Sequence, residues 1–121
     1  MSDFQYLTIE DALKLVEMLG AGPVRDAGLL DSAFARPQSS AFGADAYPTL
    51  PLKAAAMMHS IVKNYSLFDG NKRMSLLSTH TFVELNNAHL GMTMDEAYNL
   101  ILEIASGNME LTEVAGRLKI L

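Results

Sequence analysis

The residues best suited to chemistry lie together in the segment 64–73, which reads Asn-Tyr-Ser-Leu-Phe-Asp-Gly-Asn-Lys-Arg. Gly70 permits a tight turn with positive φ. Asn71, Lys72 and Arg73 are expected to open a helix, whose unpaired N–H groups form a site for an anion. The side chains of Lys72 and Arg73 add two cationic donors, and arginine can clamp a phosphate with its planar fork. The segment therefore predicts a phosphate site at the start of a helix.

Asp69 brings a hard oxygen ligand to the same place. Mg²⁺ usually binds proteins through one or two carboxylates and completes its shell with phosphate oxygens, so Asp69 is the expected Mg²⁺ ligand. Local physics alone leaves a second interpretation open, since Asp69, Gly70 and Asn71 also suit an ordinary turn and helix start with solvated cations behind it. The wider sequence context has to decide between the two.

The elements that position this segment are predicted to be helices, because apolar residues recur at helical spacing and strand-like alternation is almost absent. Thr8 and Thr93 each precede an acidic residue by three positions, which predicts two capping boxes. Residues 37–48 are rich in turn formers and are expected to form a surface loop. The pattern predicts six helices and no convincing sheet: 8–19, about 29–35, about 50–64 as the central core helix, about 71–85, 94–106 and roughly 111–118.

The amino-acid composition restricts the classes of protein to which this chain can belong. The 121 residues contain no cysteine, carry a net charge of −5 and are half apolar, which fits a single domain over 1–121 without disulfides. No basic stripe appears, and this argues against direct nucleic acid binding. The N-terminus lacks the features of a signal peptide, and the longest apolar run, 54–58, is too short to cross a membrane. We therefore expect a cytoplasmic protein with no membrane contact.

The segment resembles the signature of the Fic/Doc superfamily, H-x-F-x-D/E-x-N-x-R, with Asp69, Asn71 and Arg73 at its last three defined positions. Lys72 stands where Doc (death-on-curing) proteins carry lysine and where AMP-transferring Fic proteins usually carry glycine. Leu76 replaces the second arginine of the Fic enzymes, so both departures favour the Doc family. Further short Doc-like segments are distributed along nearly the whole chain: 6–8, 25–26, 29–33, 36–37, 47–48, 63–64 and 105–107.

This resemblance implies an all-α, compact six-helix Fic/Doc fold with the motif loop between two central helices. It implies a toxin that is encoded beside a Phd-like antitoxin and that transfers phosphate from ATP to a threonine of elongation factor Tu, which blocks translation. It assigns catalysis to residue 65 with Asp69, Lys72 and Arg73, nucleotide binding to Gly70, Asn71, Lys72 and Arg73, and Mg²⁺ to Asp69.

Two motif positions depart from the family. Position 65 holds tyrosine in place of the family's histidine, the general base for the target hydroxyl. A phenol is a poor base at pH 7, because only about one part in a thousand is ionised, and losing a general base costs ~10²–10⁴-fold in rate. His59, His80 and His89 lie elsewhere and are read as core or boundary residues. Leu67 keeps an apolar anchor in place of the motif phenylalanine, and Phe68 beside it is expected to compensate.

Tyr65 therefore predicts an inactivated enzyme that still binds nucleotide. Its origin is open: either the histidine of a toxic protein was replaced, or the tyrosine is natural and the protein is a pseudoenzyme. Two other functions remain as alternatives, a Fic-type AMP transferase and a non-catalytic module that binds nucleotide or antitoxin. Apolar residues of the first helix and of the 29–47 region could bind the antitoxin, although core packing is the expected role of Phe4, Tyr6 and Phe42 taken singly.

Overall fold

The computed structural model describes residues 3–121, and six α-helices form its framework. They are α1 Ile9–Leu19, α2 Ala27–Ala35, α3 Leu50–Asn64, α4 Asn71–Leu85, α5 Met94–Ser106 and α6 Leu111–Arg117. A 3-10 turn, Arg36–Gln38, and two short strands, β1 Ser40–Ala41 and β2 Ala44–Asp45, connect α2 to α3. The all-α class is thereby confirmed. No helix in the described part of the chain is long and apolar enough to span a membrane.

Local signals in the sequence account for the helix starts. The hydroxyl of Thr8 accepts from the Asp11 N–H and the Asp11 carboxylate accepts from the Thr8 N–H, so the predicted capping box of α1 is confirmed. Thr93 and Glu96 form the same box at α5. α2 begins two residues earlier than expected, because the Asp26 carboxylate accepts from the Leu29 N–H and caps it.

α3 is the central core helix, as the sequence predicted. Its residues 54–58, three alanines and two methionines, are completely buried. Small side chains let neighbouring helices approach closely, and α3 packs against α2, α4, α5 and α6. Because α4 follows α3 directly and packs along it, the motif loop lies between the two helices, as expected.

The predicted surface loop at 37–48 contains more structure than expected. β1 and β2 form an antiparallel hairpin in which Ser40 pairs with Asp45 and Ala41 with Ala44. The buried Lys53 on α3 holds it, since its Nζ donates to the Pro37 carbonyl at 3.0 Å and lies 3.4 Å from an Asp45 oxygen. Strands of two residues are too short to show alternation, so the sequence could not predict them.

The three aromatic residues expected in the core behave differently. Tyr6 packs against the core and stacks on Phe82 with the ring centroids 6.1 Å apart, as expected. Phe4 is half-buried, and the Lys53 ammonium lies 4.9 Å from the centre of its ring. Phe42 is fully exposed at the turn of the hairpin, where it has a φ of 53°. Core packing of Phe42 was therefore a wrong expectation.

Candidate active site

The motif loop begins and ends with residues in left-handed conformations. Tyr65 caps the C-terminus of α3 with φ 50° and ψ 48°, and Gly70 precedes α4 with φ 93°. Glycine adopts this region freely, but among other residues it is uncommon and is several-fold enriched in Asn, Asp and His. The backbone at position 65 therefore suits the family's histidine better than tyrosine.

The motif asparagine builds the loop. Its Nδ2 donates to the Leu67 carbonyl at 2.8 Å, and the Leu67 N–H donates to its Oδ1 at 3.1 Å. Leu67 is 2% exposed, so it fills the place of an apolar anchor as the sequence suggested. The side chain of Asn71 is thus engaged within the protein, and its backbone N–H at the start of α4 is left for a nucleotide.

Phe68 does not compensate for the missing phenylalanine of the motif. Its side chain is 67% exposed, so this expectation was wrong. Leu67 forms an isolated antiparallel bridge with Val24, which makes the backbone locally strand-like. In extended backbone successive side chains point to opposite sides, so a buried Leu67 places Phe68 towards solvent.

The connection between α1 and α2 holds the motif loop through backbone hydrogen bonds. The Gly22 N–H donates to the Asp69 carbonyl at 2.8 Å, and the Phe68 N–H donates to the Pro23 carbonyl at 3.0 Å. The Ser66 carbonyl accepts from the next two N–H groups, those of residues 25 and 26, at 2.7 and 3.1 Å. Sequence reasoning missed this support, because contacts between segments some forty residues apart leave no periodic signal.

A cavity of about 320 Å³ opens at the motif, lined by Tyr65 and by residues 68–73. No side chain caps the N-terminus of α4, so its first N–H groups stay available to an anion. Asp69, Lys72 and Arg73 are exposed at this cavity. A terminal nitrogen of Arg73 lies 3.5 Å from an Asp69 oxygen, and another donates to the Leu19 carbonyl at 3.4 Å. The structure thus brings all the predicted site residues together, with the Tyr65 ring half exposed at the cavity.

None of the three histidines lines this cavity. His59 on α3 is half-buried with its Nδ1 3.5 Å from a terminal nitrogen of Arg36. Burial lowers the pKa of His59, and the charges of Arg36 and Lys63 lower it further. His89 pairs with Glu84 at 2.8 Å. His80 faces a separate apolar groove between α4 and α5, so no histidine replaces the one missing at position 65.

Comparison with known proteins places this site in a family. Residues 5–83 match the model of the Fic/DOC family. The chain is 41% identical over 118 residues to Toxin Doc of Mycolicibacterium smegmatis (strain ATCC 700084 / mc(2)155), and the match covers 94% of this chain and 91% of that protein. The family match includes the motif loop, all of α3, α4 up to residue 83, and the connection that supports the loop. This chain therefore belongs to the Doc family of the Fic/DOC superfamily.

Proposed function

We propose that this protein is the toxin of a toxin–antitoxin pair and carries a Doc-type phosphotransferase scaffold that Tyr65 inactivates. The scaffold would transfer phosphate from ATP to a threonine of elongation factor Tu in the cytoplasm and so block translation. One observation carries the proposal: an uncapped helix N-terminus, two cations and a carboxylate surround one cavity, and residue 65 lies beside them. The Toxin Doc relative supports the toxin assignment.

The residues at the cavity suit ATP and Mg²⁺. The N–H groups that open α4 and the side chains of Lys72 and Arg73 are donors for phosphate oxygens. The Lys72 ammonium has no partner among the residues that the structure describes, so it is available to a ligand. Residues 3–121, which the structure describes, contain no cluster of three His, Cys, Asp or Glu side chains that could hold a metal ion. Asp69 would hold Mg²⁺ as a single carboxylate together with phosphate oxygens, which is how proteins commonly bind this ion.

Residue 65 decides whether the proton can move. In the transfer, the threonine oxygen forms a bond to the terminal phosphorus, the bond to the leaving ADP breaks, and the hydroxyl proton passes to residue 65. A neutral histidine accepts that proton at pH 7, whereas a phenol already holds its own. The tyrosine hydroxyl also stands farther from the backbone than either imidazole nitrogen does. Tyr65 therefore leaves the binding residues intact and removes the base.

Two alternatives make different predictions. AMP transfer would require ATP in the opposite orientation, and Lys72 and Leu76 argue against it because they replace the glycine and the second arginine of that branch. A non-catalytic binding module is compatible with Tyr65 as it stands. Restoring histidine at position 65 separates the alternatives, because only a transferase gains activity from it.

The proposed partner is a Phd-like antitoxin that orders along an apolar surface. On α1, Leu13 and Met18 are exposed, and the hairpin presents Phe42. A segment that folds on binding has to bury considerable apolar surface to offset its lost entropy, and these surfaces provide it. Binding by the neighbouring gene product with hydrogen-exchange protection in the N-terminal half supports this partner, and protection confined to 65–73 contradicts it.

Growth of bacteria tests the proposal as a whole. Induction of Tyr65→His should arrest growth, and co-expression of the adjacent antitoxin should restore it. The unmodified chain and a Tyr65→His, Arg73→Ala double variant should both be tolerated, since one lacks the base and the other a phosphate ligand. Harmless Tyr65→His protein, expressed in soluble and folded form, would exclude the inactivated-toxin function.

A further inference from the structure

Arg25 reaches the end of α3 from forty residues away in sequence. Its Nε donates to the Tyr65 carbonyl at 2.6 Å, and one terminal nitrogen donates to the Asn64 carbonyl at 3.2 Å. Both acceptors are backbone groups at the point where the helix stops. The guanidinium therefore caps the C-terminus of α3 from outside the helix.

A helix end of this kind needs such a partner. The last four carbonyls of an α-helix find no N–H donor within the helix, and the helix dipole gives that end a partial negative charge. The backbone of Tyr65, which follows the last residue of the helix, has a left-handed conformation that residues other than glycine rarely adopt. Two donors of one rigid fork, fixed on adjacent carbonyls, restrict the orientation of the peptide plane that follows residue 65. The backbone at 65 then determines where its side chain points.

Arg25 is itself held in place by its neighbours. Its own N–H donates to the Ser66 carbonyl at 2.7 Å, as does that of Asp26 at 3.1 Å, and Asp26 caps α2. The side chain thus starts from a fixed backbone and ends on the loop that the same backbone supports. The N–H donates to the residue after position 65, and the guanidinium donates to residue 65 and to the residue before it. Arg25 therefore holds the backbone at, before and after the position of the family's base.

We propose that Arg25 is a positioning residue, which fixes the backbone of residue 65 and thereby aims its side chain into the transfer cavity. The inference rests on the proposed function for its catalytic consequence, but not for its structural one. Arg25 does not line the cavity, and two of its nitrogens are engaged by carbonyls, so its effect is on geometry and not on phosphate binding.

The structural consequence is measurable in the chain with Tyr65. Backbone ¹⁵N relaxation should give Tyr65 the order parameter of a rigid residue, about 0.85, and Arg25→Ala should lower it towards about 0.6. Arg117→Ala is the matched control, because Arg117 at the end of α6 pairs with Glu103 on α5, away from the backbone of residues 64–66 that Arg25 holds. An unchanged order parameter at Tyr65 in Arg25→Ala overturns the proposal, whatever the activity of any variant.

The catalytic consequence is measured in the Tyr65→His protein. Arg25→Ala should lower kcat about 10–100-fold, the cost of a misplaced group, and leave KM for ATP unchanged. Arg25→Lys should restore part of kcat, since an ammonium can donate to one of the two carbonyls. A raised KM with normal kcat would assign Arg25 to nucleotide binding and overturn the positioning role. If Tyr65→His is inactive by itself, the proposed function fails and the relaxation measurement alone decides on Arg25.

Discussion

Gly70 lies so close to Ala21 that a Cβ atom on the glycine would stand 2.6 Å from the Ala21 Cβ. The contact joins the connection between α1 and α2, which contains Ala21, to Gly70, the residue immediately before α4. Non-bonded carbon atoms do not approach that closely, and the φ of Gly70 is itself positive at 93°. Only glycine therefore allows the motif loop and its supporting segment to lie together.

Replacing this glycine should be costly. Gly70→Ala is expected to lower the free energy of unfolding by about 1–3 kcal/mol, through backbone strain and displacement of Ala21. Gly116→Ala is the matched control, because Gly116 lies in α6 and a Cβ there meets nothing within 4 Å. That variant should gain about 0.5–1 kcal/mol. Urea denaturation measures both values, and a Gly70→Ala protein as stable as the parent would contradict the close contact.

Asn71 should matter more for the loop than for the helix it begins. Asn71→Ala removes two hydrogen bonds to Leu67 and leaves the Leu67 groups unpaired, which costs about 1–3 kcal/mol. Hydrogen exchange should then show faster exchange of the Leu67 amide. Asn99→Ala, an exposed position on α5, controls for the loss of an asparagine. Equal stability losses in the two variants would show that the Asn71 side chain does not hold the loop.

Nucleotide binding should survive Tyr65 and depend on Arg73. Arg73→Ala removes a charged donor worth about 1.5–3 kcal/mol, so ATP affinity should fall about 10–100-fold. Asp69→Ala should instead reduce the Mg²⁺ dependence of binding, because Asp69 is the expected metal ligand. Isothermal titration calorimetry compares these variants with Arg117→Ala, whose side chain pairs with Glu103 and is not among the residues that line the cavity. Identical affinity in the parent chain and Arg73→Ala excludes this nucleotide site.

The parts of the fold that could be predicted are those that the sequence encodes locally. The capping boxes at Thr8 and Thr93 and the apolar run of α3 fix helices through neighbours three or four positions away. The order of residues in the motif loop was equally accessible, because a family signature is read along the chain. For the same reason the helix after Gly70 was expected to begin at Asn71, and it does.

What could not be predicted depends on contacts between distant segments. The capping of α3 by Arg25 and the contact of Gly70 with Ala21 join residues whose proximity no local pattern reveals. The hairpin at 40–45 depends on Lys53, a buried lysine that the α3 pattern gave no reason to place inside. Phe68 was misjudged because its direction follows from the bridge between Leu67 and Val24.

His59 should make the protein less stable in acid. Its pKa is below the ordinary value of 6.5 in the folded protein, because burial and then Arg36 and Lys63 disfavour its charged form. The unfolded chain therefore binds the proton first, and stability falls as the pH drops below about 6.5. His59→Gln should remove that loss between about pH 7.5 and about pH 5, measured by urea denaturation. His80→Gln, at an exposed position, should still lose stability in acid. If His59→Gln showed the same pH dependence as the parent chain, His59 would not be the cause of the loss.

The intact mass of elongation factor Tu tests the central claim most directly. The factor is incubated with ATP, Mg²⁺ and either the parent chain or Tyr65→His, and its mass is recorded over time. We expect Tyr65→His to add the mass of one phosphate at a threonine, and the parent chain to do so at least about 10²-fold more slowly, the typical cost of a missing general base. Addition of AMP would place the protein with the AMP transferases. No mass change with a folded, nucleotide-binding Tyr65→His protein would contradict the account of an inactivated Doc-type phosphotransferase.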